Sequence, residues 1–123
     1  MPPWLTLMID ALPSLLWACI LFTVPLTLLS FVLGLGVGFF AAVIRLFAPA
    51  PFAWIIRFYV WIIRGTPLLV QLFLIFYGLP SVGIVLDAFV AALIGFTLNV
   101  GAYTSEIIRA VLQSVPKGQW EAA

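Results

Sequence analysis

Charge is what this chain has least of. Only 7% of its 123 residues are Asp, Glu, Lys or Arg, against about 25% in an ordinary soluble domain. So few charges cannot coat a globule, which excludes a soluble domain and makes the bilayer the natural solvent. No Lys or Arg precedes Arg45, so the positive n-region of a secretory signal peptide is missing. Histidine is absent, and cysteine occurs once, as Cys19 in an apolar run. An internal disulfide is therefore impossible, no metal site is expected, and Cys19 reads as a small buried hydrophobe. No basic stripe is present to neutralise nucleic-acid phosphates, so nucleic acid is not an expected partner. No GxxxxGK loop occurs, so the chain cannot cradle ATP in the P-loop manner.

What the chain does have is apolar length. Hydrophobic residues make up 66% of it. A hydrocarbon core roughly 30 Å thick needs about 20 apolar residues per helix, so about three crossings fit. The sequence predicts an all-α, polytopic transmembrane protein with spans near 14–44, 57–79 and 86–108. A helix over 14–44 would be about 46 Å long, so it must tilt, kink or run partly along the interface. Pro25 is the expected kink, because it removes an amide donor from the helix interior.

The second span is entered through PAPFAWIIRFYVWIIRGTP. Arg57 and Arg64 lie seven residues apart, on one helical face, among Trp54, Tyr59 and Trp61. Arginine stems snorkel toward headgroups while aromatic rings sit at the interface, so 52–63 reads as a helix at or entering the membrane surface. Gly65-Thr66-Pro67 is then a bend, with Pro67 suited to the first turn of the spanning part. Gly78 to Gly83 is a turn-rich exit. The third span begins at Asp87 and runs into Arg109, with an uncharged stretch over 88–105.

Charge orients the spans. Arg45, Arg57 and Arg64 lie between the first and second spans, and Arg109 and Lys117 follow the third; the other side carries only Asp10 and Asp87. The positive-inside rule then places the N-terminus outside and residues 101–123 in the cytoplasm.

Several residues carry more than hydrophobicity. Ser30, Gly34, Gly38 and Ala42 recur every four residues and mark a close helix-packing seam, within the chain or with a sibling subunit. Asn99, Tyr103 and Glu106 fall on one stripe of the third span. Polar groups there face a cavity or a protein partner, so they are candidates for a substrate path; for Glu106, near the end of the span, a local pair with Arg109 at i and i+3 is the favoured reading. Gln71 is the strongly polar side chain of the second span and suits a hydrogen bond across helices more than a substrate contact. Beyond Pro116, Gly118 permits a sharp turn, and Gln119, Glu121, Ala122 and Ala123 form a short docking surface.

Three stretches resemble a known family. Gly118-Gln119-Trp120-Glu121-Ala122-Ala123 resembles the start of the EAA loop of bacterial ABC-transporter permeases. Ala102-Tyr103-Thr104-Ser105-Glu106-Ile107-Ile108-Arg109-Ala110 resembles the AYxxEixRA segment of the branch that imports polar amino acids. Arg64-Gly65-Thr66-Pro67-Leu68-Leu69-Val70-Gln71 resembles that branch's RGTPLLVQ signature. The resemblance implies the N-terminal portion of a type I importer permease in the bacterial inner membrane. Its implied partners are a cytoplasmic ABC ATPase dimer, a periplasmic amino-acid-binding protein and a second permease, identical or homologous. ATP and Mg would sit on the ATPase, and no cofactor or catalytic residue is expected on this chain. Residues 116–123 would begin the coupling helix that seats in the ATPase. Family members continue past EAA through two more membrane helices, so the chain reads as a fragment or truncated product.

The expected function is ATP-driven uptake of a polar amino acid by alternating access. The rival is a small ion-coupled secondary transporter or drug exporter acting as an oligomer. Such proteins carry a membrane-embedded carboxylate that titrates, whereas Asp10, Asp87, Glu106 and Glu121 all sit near span ends. A purely structural membrane subunit is a third reading.

Overall fold

Proline punctuates this fold. Ala48, Thr66 and Val115 each precede a proline, each is extended (ψ 161°, 131° and 126°), and each ends a helix. The ring of the following proline disfavours helical geometry at the residue before it, and its fixed φ then suits the start of the next helix. In a computed structural model, which describes residues 1–122, this yields five helices: α1 Pro3–Phe47, α2 Ala50–Gly65, α3 Leu68–Ser81, α4 Ala88–Ser114 and α5 Lys117–Ala122. No strand occurs among the described residues. Asp87 caps α4 by accepting a hydrogen bond from the Phe89 amide at 3.2 Å, which satisfies one of the open N–H groups at a helix start.

α1 and α4 are each long and apolar enough to cross a membrane. α2 and α3 meet at 108° and make a third candidate only if the bent pair counts as one span. The segment 57–79 thus bends at Thr66 and Pro67, where the sequence places a bend. α1 begins well before residue 14 and does not break at Pro25. A π turn, Cys19–Thr23, ends two residues before that proline, and the Val24 amide reaches back to the Cys19 carbonyl. The wider turn absorbs the missing donor of Pro25 locally. A second π turn, Leu74–Gly78, carries α3 past the expected exit. The chain turns only at Val82 and Gly83, where Gly83 adopts a φ of +91°.

Packing is inverted relative to a soluble protein. The buried positions of α1 are Ser30, Gly34, Gly38, Ala41 and Ala42, and those of α4 are Ala91, Gly95, Gly101, Ala102 and Ser105. Leu, Phe and Trp side chains point outward. Lipid solvates large apolar side chains as well as the interior does, so close backbone approach through small residues drives association instead. α1 and α4 run side by side on this basis: a Cβ on Gly34 would lie 2.5 Å from Val100 Cγ1, and one on Gly38 would lie 2.8 Å from Thr104 Cβ. Cys19 is exposed on the N-terminal half of α1, not buried as its apolar context suggested, because no residue before Ser30 is fully buried.

Candidate functional site

The end of the uncharged stretch of α4 is where α1, α2 and α4 converge. α2 lies across α4 with Val60 and Ile63 packed on Ala102, and the Tyr59 hydroxyl donates to the Leu98 carbonyl. This crossing brings four charged side chains together. Glu106 Oε1 accepts from Arg45 at the end of α1. Its Oε2 accepts from Arg109 Nη2 at 2.6 Å and lies 3.7 Å from Arg64 Nη1. Arg109 also donates to Gln113 at 2.8 Å. The Arg64 guanidinium stands 5.7 Å from the centre of the Tyr103 ring, within cation–π range.

Glu106 is therefore more than the local i, i+3 partner of Arg109. It ties α1, α2 and α4 at one level, with its side chain 18% exposed. The sequence reading assigned Arg45 and Arg64 to topology and to a family motif and missed this convergence. One signal was present: Arg45 lies three residues beyond Ala42 and so continues the stripe of Ser30, Gly34, Gly38 and Ala42 onto the face that packs on α4. Beside the cluster an open cleft of about 450 Å³ is lined by Arg45, Arg57, Trp61, Arg64, Tyr103 and Glu106, among others.

A second polar arrangement holds the bend. Gln71, on the first turn of α3, is buried to 7% exposure. Its amide nitrogen donates to the carbonyls of Ile63 and Thr66, each at 2.8 Å. These carbonyls lie at the end of α2, where helical amides run out; of the two, Ile63 also accepts from the Thr66 amide at 3.4 Å. Asn99 on α4 donates to the Gln71 side-chain oxygen at 3.4 Å. Of the Arg64-Gly65-Thr66-Pro67 segment, Thr66 and Pro67 make the corner, and Gly65 leaves open space where a Cβ would stand. The proposed path residues thus differ in setting. Asn99 is half-buried on Gln71, Tyr103 is 44% exposed under Arg64, and Glu106 is saturated by arginines.

Past α4, the Pro116 carbonyl accepts from the Gln119 and Trp120 amides at 2.9 and 3.4 Å. The chain bends at Val115 and Pro116, and Gly118 lies inside α5 rather than in the turn expected of it. Gln119, Glu121 and Ala122 are exposed; Ala123 lies outside the described residues. Trp120 holds α5 against the end of α1 through an edge contact with Phe47, ring centres 6.2 Å apart. No group of three or more Cys, Asp or Glu side chains placed to hold a metal exists among the described residues.

Comparison with known proteins places this arrangement. Residues 34–123 match the family described as binding-protein-dependent transport system inner membrane component. Over 103 residues the chain is 55% identical to the L-cystine transport system permease protein TcyB of Bacillus subtilis (strain 168), covering 84% of this chain and 44% of that one. It is 41% identical to the arginine transport system permease protein ArtQ of the same organism, covering 82% and 47%. It is also 41% identical to a putative glutamine transport system permease protein, GlnP, of Rickettsia prowazekii (strain Madrid E), covering 84% and 48%. The chain thus spans about half the length of these relatives. A crystal structure of an amino acid ABC transporter with histidines superposes on all of this chain and 56% of its own, with a TM-score of 0.85 and 38% identity.

Proposed function

The chain belongs to the binding-protein-dependent transport system inner membrane components, and from that membership we propose that it forms part of a permease importing a polar amino acid at the expense of ATP. The support is the agreement of three features. The segments RGTPLLVQ, AYTSEIIRA and GQWEAA occur in order, the helices superpose on a solved amino acid transporter, and relatives carry permease names for cystine, arginine and glutamine. The chain would act with a cytoplasmic ATPase dimer that holds ATP and Mg, a periplasmic amino-acid-binding protein and a second permease subunit. It would lie in the bacterial inner membrane with its N-terminus periplasmic.

The observation that carries the mechanism is α5. It is a short, exposed helix set off from α4 by an extended residue and a proline, with Glu121 free of any ion pair among the described residues. Such a helix is a handle. A partner gripping Gly118, Gln119, Glu121, Ala122 and Ala123 would move α4 through Pro116 and α1 through the contact of Trp120 with Phe47. The Glu106 cluster would then carry the motion into α2, because three helices share that one carboxylate. Asn99 and Tyr103, on the face of α4 above it, line the proposed path. Nucleotide-driven closure must favour one conformation by several kcal/mol to switch the population decisively.

Reversing one charge tests the handle. In the complete permease, Glu121→Lys is expected to abolish co-purification of the ATPase and stimulated ATP hydrolysis, with membrane insertion intact. ATPase association and uptake at the parental level after that substitution would defeat the coupling assignment. The ion-coupled exporter gains no support from the structure, since Glu106 is held by three arginines rather than standing alone to titrate.

A further inference from the structure

The arginine-lined cleft beside Glu106 holds more positive charge than its single carboxylate can balance. Arg45 and Arg109 occupy the two oxygens of Glu106. Arg64 stands off at 3.7 Å with its side chain 49% exposed. Arg57 is exposed and has neither an ion pair nor a side-chain hydrogen bond among the described residues. Arg57 therefore has no counter-charge, and Arg64 only a distant share of the Glu106 carboxylate, at the wall of an open cleft of about 450 Å³.

We propose that this cleft binds the phosphate group of an anionic membrane lipid. The first argument is depth. The cleft lies where the uncharged stretch of α4 ends, and α2 leaves the axis of α3 at 108° to lie across that level. Headgroup phosphates occupy this level of a bilayer, on the same face as all five basic residues of the chain. The second is chemistry. A planar guanidinium donates two parallel N–H groups to a phosphate's oxygens, and Arg64, 5.7 Å over the Tyr103 ring, presents one such fork at the cleft. The third is the surroundings. Trp61, on the rim, is 72% exposed, and Phe58 beside Arg57 is 61% exposed. Aromatic rings at the interface suit the boundary between headgroup and acyl chain, and basic pockets between helices on one membrane face recognise anionic headgroups in this way. A freely soluble phosphate would gain nothing from that apolar rim.

The test is lipid retention. The complete permease is placed in nanodiscs of phosphatidylcholine mixed with phosphatidylglycerol, and the lipids still bound after ejection are counted by native mass spectrometry. The parent is expected to keep phosphatidylglycerol in preference to phosphatidylcholine. Arg57→Gln and Arg64→Gln should each reduce that preference roughly fivefold. Lys117→Gln removes the same charge outside the cleft and should leave it unchanged. Arg57 has no partner to lose, so its substitution does not threaten the fold. Absence of preference in the parent, or equal losses in Arg57→Gln and Lys117→Gln, overturns the site. Displacement of bound phosphatidylglycerol by millimolar inorganic phosphate would make the source a soluble anion and overturn the lipid assignment.

Discussion

Gln71→Met isolates what holds the corner between α2 and α3. Methionine matches glutamine in length and removes the amide without opening a large cavity. The parent amide nitrogen makes two hydrogen bonds of 2.8 Å, to the Ile63 and Thr66 carbonyls. An intramolecular hydrogen bond contributes about 0.5–1.5 kcal/mol net, and side-chain bonds between membrane helices average about 0.6 kcal/mol. Two such bonds, with the Thr66 carbonyl losing its side-chain donor and Ile63 keeping only the long bond from the Thr66 amide at 3.4 Å, give an expected loss of about 1–3 kcal/mol. The Asn99 bond is long, at 3.4 Å, so Asn99→Leu should cost less than Gln71→Met, and the double variant should show coupling below about 0.5 kcal/mol. Stability would be read by reversible unfolding in mixed micelles with increasing sodium dodecyl sulfate. The bend would be read by electron–electron distances between spin labels at Phe58 and Tyr77, both exposed. The distance distribution should broaden in Gln71→Met. Parental stability together with an unchanged distribution would show that the 108° corner does not depend on this amide.

The seam between α1 and α4 predicts a contrast between neighbouring glycines. Gly38→Ala places a methyl 2.8 Å from Thr104 Cβ and 3.0 Å from the Gly101 carbonyl and should destabilise by about 1–3 kcal/mol. Gly36→Ala meets nothing within 4 Å and should be neutral or slightly stabilising in the same unfolding titration. Glu106→Gln should cost about 1–2 kcal/mol, less than the roughly 3–5 of a fully buried pair, because the Glu106, Arg45 and Arg109 side chains keep 18%, 20% and 27% exposure and are partly screened. Added salt should narrow the gap between this variant and the parent; a gap independent of salt would remove the electrostatic explanation.

Local rules made much of the fold legible. Proline after Ala48, Thr66 and Val115 ends three helices, and Asp87 opens α4 where the charge pattern placed a boundary. The repeat of Ser30, Gly34, Gly38 and Ala42 announced a close-packed face, and Gly65-Thr66-Pro67 announced the bend between α2 and α3. Pro25 leaves the helix continuous, with a π turn beside it. One local expectation failed for a physical reason. Gly118 stays helical because Pro116 has already turned the chain. The long-range contacts were not legible. Glu106 and Arg45 are separated by 61 residues, and only the docking of α1 on α4 brings them together. Gln71 read as a cross-helix donor; that it closes the end of its own preceding helix follows from the corner angle, which no periodicity encodes.

Energetics test the importer reading most directly. The complete permease would be reconstituted with its ATPase and binding protein in liposomes, and uptake of labelled cystine, arginine and glutamine measured in turn. At least one should accumulate only with hydrolysable ATP on the ATPase side, persist when the proton gradient is collapsed, and vanish in Glu121→Lys. Accumulation without nucleotide that disappears with the proton gradient would contradict the account.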